Sequence, residues 1–104
     1  MRAVATGDGG SVNADTLFRF EQRGTTVWAR YEGGEVPLGF LVGTLSGHEL
    51  AFRYAQVDRL GAVHGGRSVC AVERLPDGRL RLHEHFHWES KPGAGTNIIE
   101  EVRD

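Results

Sequence analysis

Glu84 sits between His83 and His85, with His87 two residues further on, and no other part of the chain gathers as many groups able to move a proton or hold a metal. The run Arg79–Ser90 (RLRLHEHFHWES) sorts by parity. Leu80, Leu82, Glu84, Phe86 and Trp88 form one set, and Arg81, His83, His85, His87 and Glu89 form the other. Strict alternation of this kind is the pattern of a half-buried β-strand, one face in the core and one in water. Glu84 therefore lies on a core face, between Leu82 and Phe86. A carboxylate there must be paired, hydrogen-bonded, protonated or placed at a polar cavity. Burial disfavours its charged form, so its pKa is expected to rise unless an arginine or several donors compensate. A carboxyl group of raised pKa can shift a proton in an isomerisation, cyclisation or hydration. Glu84 is thus the catalytic candidate.

The histidines fall on the opposite, water-facing set, about 7 Å apart along the strand. An H-x-H pair suits zinc or iron, and with Glu89 the run looks like the first metal motif of cupins. Gly78 stands one residue too close for that motif, and no second histidine motif follows. The expectation is a solvated stripe with no metal. Cys70 is the only cysteine, which excludes an intramolecular disulfide. A lone thiol needs a base to act as a nucleophile, and a small buried hydrophobe is the default for it. Ser68 has no elbow or triad around it. The glycine-rich Gly7–Asn13 (GDGGSVN) lacks both G-K-[ST] and a following helix, so it reads as a turn and not as a phosphate loop.

The elements that must position these residues are punctuated by glycine, of which there are fifteen. Strands are expected at Arg2–Thr6, Thr16–Arg23, Thr25–Glu32, Glu35–Leu45, His48–Val57, Ala62–Leu75, Arg79–Ser90 and Asn97–Arg103. Gly33-Gly34 and Pro76-Asp77-Gly78 are strong turn signals. Gly65-Gly66 suggests a bulge or bend, and Lys91–Thr96 a loop. In Glu35–Leu45 both faces are apolar, so the phase is open. Gly39 and Gly43 either point inward and leave room for a ligand, or point outward and ease curvature. Short connections throughout imply an antiparallel meander. Closing it removes both edges. The fold expected is all-β, a single domain over residues 1–104, as an up-and-down antiparallel barrel of about eight strands, lipocalin- or avidin-like in architecture.

With the large aromatic face inward on each strand, the interior receives Phe18, Phe20, Tyr31, Phe52, Tyr54, Gln56, Ser68, Cys70, Glu84, Phe86 and Trp88. The last strand adds Glu100 or Glu101. These are the candidate ligand-binding residues, with Tyr31, Tyr54 and Gln56 as partners for Glu84. The same set also reads as a buried hydrogen-bond network that holds the register, Glu84 being paired to an arginine or a tyrosine. Trp28, on the face opposite Tyr31, is a candidate dimer contact.

Several stretches resemble a small bacterial family of about this length: TLFRF at Thr16–Phe20, YEGGE at Tyr31–Glu35, FRYAQVD at Phe52–Asp58, LPDGRLRLHE at Leu75–Glu84, Trp88, and IIEE at Ile98–Glu101. Its members are often labelled N-acetylglutamate synthase. The resemblance implies a compact β-barrel. An acetyltransferase of the usual kind carries a strand–helix turn of the form Q/R-x-x-G-x-G/A, and this chain has none.

Composition bounds the function. Twelve basic against fourteen acidic residues give a net charge of −2, which argues against a nucleic-acid footprint. No apolar run reaches the ~20 residues of a spanning helix, and MRAVATGDGG is too short and polar for a signal peptide. The expectation is a cytoplasmic protein that needs no cofactor. It binds a small, largely apolar molecule in the barrel, with cofactor-independent acid/base chemistry of isomerase or cyclase type by Glu84 as the fuller form of that reading. The alternatives are a non-catalytic carrier or sensor, and a filled barrel that acts through protein contacts.

Overall fold

The alternating runs become eight strands in a computed structural model that describes residues 1–6 and 10–102, with 2–6 described by their backbone. They are β1 (Arg2–Thr6), β2 (Leu17–Arg23), β3 (Thr26–Gly33), β4 (Val36–Ser46), β5 (Glu49–Val57), β6 (Val63–Arg74), β7 (Leu80–Trp88) and β8 (Ala94–Glu100). Each strand pairs antiparallel with the next, and β8 pairs with β1, so the sheet closes into a barrel. No helix forms among the described residues, and none is therefore long or apolar enough to cross a membrane. Because consecutive strands alternate in direction, the connections alternate between two ends. The β1–β2, β3–β4, β5–β6 and β7–β8 connections share one mouth. The β2–β3, β4–β5 and β6–β7 turns share the other with Met1 and Val102.

The interior follows the period of two. In β5, Leu50, Phe52, Tyr54 and Gln56 are buried while Ala51, Arg53 and Ala55 are exposed. In β7, Leu82, Glu84, Phe86 and Trp88 point inward. The phase of β4, open in the sequence, is settled by a register shift against β3. Tyr31 pairs with Gly39, but Gly33 pairs with Val36. The extra residue turns Val36 inward at one end while Leu41 points inward at the other, leaving Phe40 and Val42 outside. Gly39 and Gly43 share Leu41's inward phase, but they leave no room for a ligand. A Cβ on Gly39 would lie 2.4 Å from the Tyr31 ring, and one on Gly43 would lie 2.0 Å from the Ala51 carbonyl oxygen.

Three expectations are corrected. Gly65-Gly66 makes no bulge, since β6 keeps unbroken register with both β5 and β7. Gly66 instead makes room for the Tyr54 hydroxyl, which would lie 2.6 Å from a Cβ there. The loop expected over Lys91–Thr96 is shorter, because Ala94, Gly95 and Thr96 already pair with β7. A turn at Gly93, with φ of 130° and its carbonyl accepting from the Trp88 N–H at 3.0 Å, ends it early. Glu100 stays outside the barrel, and Glu101 reaches only the rim of the far mouth. Glu100 holds Arg81 on the outside, Glu101 caps the Leu80 N–H, and Asn97 and Ile99 are the buried residues of β8. Of the loop expected over Gly7–Asn13, residues 7–9 lie outside the described residues.

Candidate functional site

Glu84 on β7 is the polar centre of the barrel, with 7 % of its surface exposed. Its neighbours on the sheet are Cys70 of β6 and Asn97 of β8. The Ser68 hydroxyl donates to Oε2 at 2.6 Å, and the Asn97 amide donates to Oε1 at 2.9 Å. Among the described residues no arginine or tyrosine bonds to it, unlike the pairing weighed from the sequence. Its two donors come from the flanking strands because a closed sheet places i and i±2 neighbours of adjacent strands over one another on the inner face. Burial pushes the Glu84 carboxyl above the ordinary glutamate value, and the two hydrogen bonds and the more distant His85 only partly offset this. A protonated Glu84 would turn one oxygen into a donor, which Ser68 can accept because a hydroxyl is both donor and acceptor.

A second polar pair stands across the barrel. The Tyr31 hydroxyl donates to Gln56 Oε1 at 2.9 Å. Tyr54 is also buried, and among the described residues its hydroxyl has no hydrogen-bond partner; nor has Asn97 Oδ1. Burial first, then the nearby Glu84, pushes both tyrosine hydroxyls up, so both are neutral donors at ordinary pH. Around these groups the aromatic rings interlock. Phe18 stacks on Tyr31 at 4.8 Å, Trp88 meets Tyr54 edge-on at 5.3 Å and Phe86 at 6.1 Å, and Lys91 Nζ lies 4.4 Å from the centre of the Trp88 ring.

Phe18, Tyr31, Phe52, Tyr54, Gln56, Glu84, Phe86 and Trp88 all line one cavity at the mouth formed by the β1–β2 connection. Its free volume is about 20 Å³, which is about the space of one water molecule. Three other expected residues lie elsewhere. Ser68 stands behind Glu84 and holds it. Cys70 is fully buried in the core, its thiol pushed up by burial and by Glu84, and it does not reach the cavity. Phe20 faces the opposite mouth, where a separate space of about 360 Å³ is bounded by Met1, Leu45, Val72, Leu80 and Glu101 among others. Phe20 falls there because it is two residues further along β2 than Phe18, towards the far turn.

Sequence reading missed Asn97, Leu41 and the segment Gly10–Val12, which also line the cavity. Asn97 had one available signal. A strand begun at Ala94 places Asn97 and Ile99 on one face, and the early turn at Gly93 was the residue to weigh. Gly10–Val12 had none, because a glycine-rich connection shows no period.

The histidine stripe faces outward. His83 Nε2 lies 2.9 Å from Glu73 Oε1, and this contact holds the Glu73 carboxyl below its ordinary value. Among the described residues no three His, Cys, Asp or Glu side chains converge as metal ligands would.

No curated protein and no solved structure matches the chain. The closed meander of eight antiparallel strands agrees with a family comparison that does match. A family model described as avidin-like protein covers residues 1–102, and the chain belongs to that avidin-like family.

Proposed function

We propose that the protein binds a small, largely apolar molecule with a polar tip in the mouth lined by Phe18, Tyr54, Glu84, Phe86 and Trp88. Membership of an avidin-like family supports small-molecule binding in the barrel. The observation that carries the reading is the pair of orphaned atoms, Tyr54 hydroxyl and Asn97 Oδ1, beside a buried carboxyl. Each buried polar group left unpaired costs about 1–3 kcal/mol, and native folds retain few of them. A ligand carrying one donor and one acceptor would satisfy both. The aromatic walls take its apolar body. Glu84, raised in pKa and hydrogen-bonded on both oxygens, is placed to hold or move a proton at the ligand's polar tip, which supports acid/base chemistry as the fuller form of the function. A carrier or sensor uses the same pocket without turnover.

N-phenyl-1-naphthylamine is a suitable probe. It is apolar, carries one N–H, and fluoresces when desolvated. It is expected to bind, and Glu84→Gln is expected to weaken it about tenfold, or ~1.4 kcal/mol, while the circular dichroism spectrum stays that of the parent. Equal binding by parent and variant would remove Glu84 from the site.

A second reading is favoured by the smallness of the cavity and by the outer face. A filled barrel would act through protein contacts. Phe40 and Val42 are 54 % and 57 % exposed and lie beside Trp28 and Ala55 on β3–β5. Two copies packed across this face would form a homodimer. Trp28, expected at a dimer contact, is partly turned into its own surface by a 3.0 Å bond from Nε1 to Glu21.

A further inference from the structure

The cavity is too small for the ligand the site is proposed to take, and the reason lies in the β1–β2 connection. Gly10, Ser11 and Val12 lie across the mouth. Gly10 is seated on the Phe86 ring so closely that a Cβ would stand 2.9 Å from Cζ. Trp88 stands edge-on to Phe86, with ring centroids 6.1 Å apart. Val12 packs against the core from its rim.

The next residues along the chain, Asn13–Thr16, are held firmly. The Asn13 N–H donates to Thr16 Oγ1 at 3.1 Å, the Thr16 N–H to the Asn13 carbonyl at 3.0 Å, and Thr16 Oγ1 to the Gly33 carbonyl at 3.0 Å. Thr16 is fully buried. Gly33 and Gly34 are packed so tightly on Asp15 and Asn13 that a Cβ on either would come within 2.3 Å of them. This knot ties Asn13–Thr16 to the β3–β4 turn. Gly10–Val12 is different. Among the described residues it makes no hydrogen bond to the barrel, and Gly10 and Val12 meet it through apolar contact. A segment with few bonds to the rest of the fold opens at lower cost than one held by a buried hydrogen-bond knot.

We infer that Gly10–Val12 is a displaceable wall of the ligand site: it occupies the volume the ligand takes, and its displacement sets which molecules enter and how tightly. The inference rests on the mouth being the ligand site. It makes the protein self-occluding. A ligand binds only the displaced form, so its apparent affinity is reduced by the fraction of molecules in that form. Bulkier ligands need fuller displacement than flat ones, so the segment also discriminates by size.

Two substitutions bias the wall outward without touching the polar centre. Gly10→Val drives a side chain against Phe86. Val12→Asp puts a charge where an apolar side chain packs. Both should keep the parent's circular dichroism spectrum and bind N-phenyl-1-naphthylamine more tightly, by about tenfold if the parent is open in roughly one molecule in ten. A third protein reports on the wall directly. The thiol introduced by Val12→Cys, in a Cys70→Ala background, should react with a disulfide reagent several-fold faster when the probe is bound than when it is absent. Probe binding of equal strength by the parent and both folded variants, with unchanged thiol reactivity, overturns the wall and leaves the site standing. Absence of probe binding in all of these folded proteins overturns the site, and the wall with it.

Discussion

At the scale of the residue, Glu84 shows how burial and hydrogen bonding compete. Desolvation raises its pKa, and donors from Ser68 and Asn97 lower it without cancelling the rise. An acid whose folded pKa lies above its unfolded value binds its proton more tightly in the native state. Its contribution to stability is complete below the unfolded value, 4.5 for the free group, and is lost as pH rises through the raised folded value. Each unit of that difference corresponds to ~1.4 kcal/mol. The parent should therefore lose stability relative to Glu84→Gln as pH climbs out of the acid range, and the gap should level off once Glu84 is ionised in the native state. Urea unfolding of both proteins from pH 4 to pH 9 checks this. A constant difference across the range would mean that Glu84 does not titrate with a raised pKa. Asp58 and Glu73 are lowered, so they contribute in the opposite direction, and the comparison of two proteins removes them.

At the scale of the element, the glycines of β4 carry more than flexibility. Gly39 faces the Tyr31 ring, the far end of a side chain, whereas Gly43 faces the Ala51 carbonyl and the Phe52 backbone. A side chain can move where a paired backbone cannot. Gly39→Ala should therefore cost on the order of 1–3 kcal/mol, the usual range for overpacking, and should disturb the Tyr31–Gln56 hydrogen bond. Gly43→Ala should cost more, because the β4–β5 ladder itself must shift. Chemical denaturation of the two variants ranks them, and a Gly43→Ala protein as stable as the Gly39→Ala one would contradict the contact geometry. The same logic explains the register shift between β3 and β4. It lets Val36 close the core at the mouth, where an uninterrupted period of two would have exposed it.

At the scale of the whole molecule, the outer face of β4 offers a surface for association. Phe40 and Val42 share that face of β4 and are both exposed, and large exposed apolar side chains gathered together mark interaction surfaces more often than scattered ones do. A homodimer through this face predicts that light scattering will give twice the chain mass, 11.4 kDa, and that Phe40→Glu will give the single mass. The circular dichroism spectrum should be unchanged, since Phe40 does not contribute to the core. A monomeric parent removes the dimer and leaves the barrel and its mouth untouched.

The alternation of β5, β6 and β7 and the turn residues at Gly33-Gly34 and Pro76-Asp77-Gly78 were enough to read an antiparallel barrel, and the parity of Arg79–Ser90 was enough to put Glu84 inside it. Side-chain direction in a strand is a local consequence of the pleat, so it is written in consecutive residues. Which groups meet across the barrel is not. Ser68 and Asn97 reach Glu84 through register on both flanks, and register on the β8 side depends on where the turn at Gly93 ends. The phase of β4 depends on a single extra residue facing β3. Gly10–Val12 reaches the mouth only because the closed sheet brings β1 beside β8 and returns the chain over the barrel end. The sequence by itself determined the class of fold and the inward carboxylate, because both rest on neighbours along the chain. Only the tertiary structure decided the partners of that carboxylate and the size of the cavity beside it, because both rest on distances between strands.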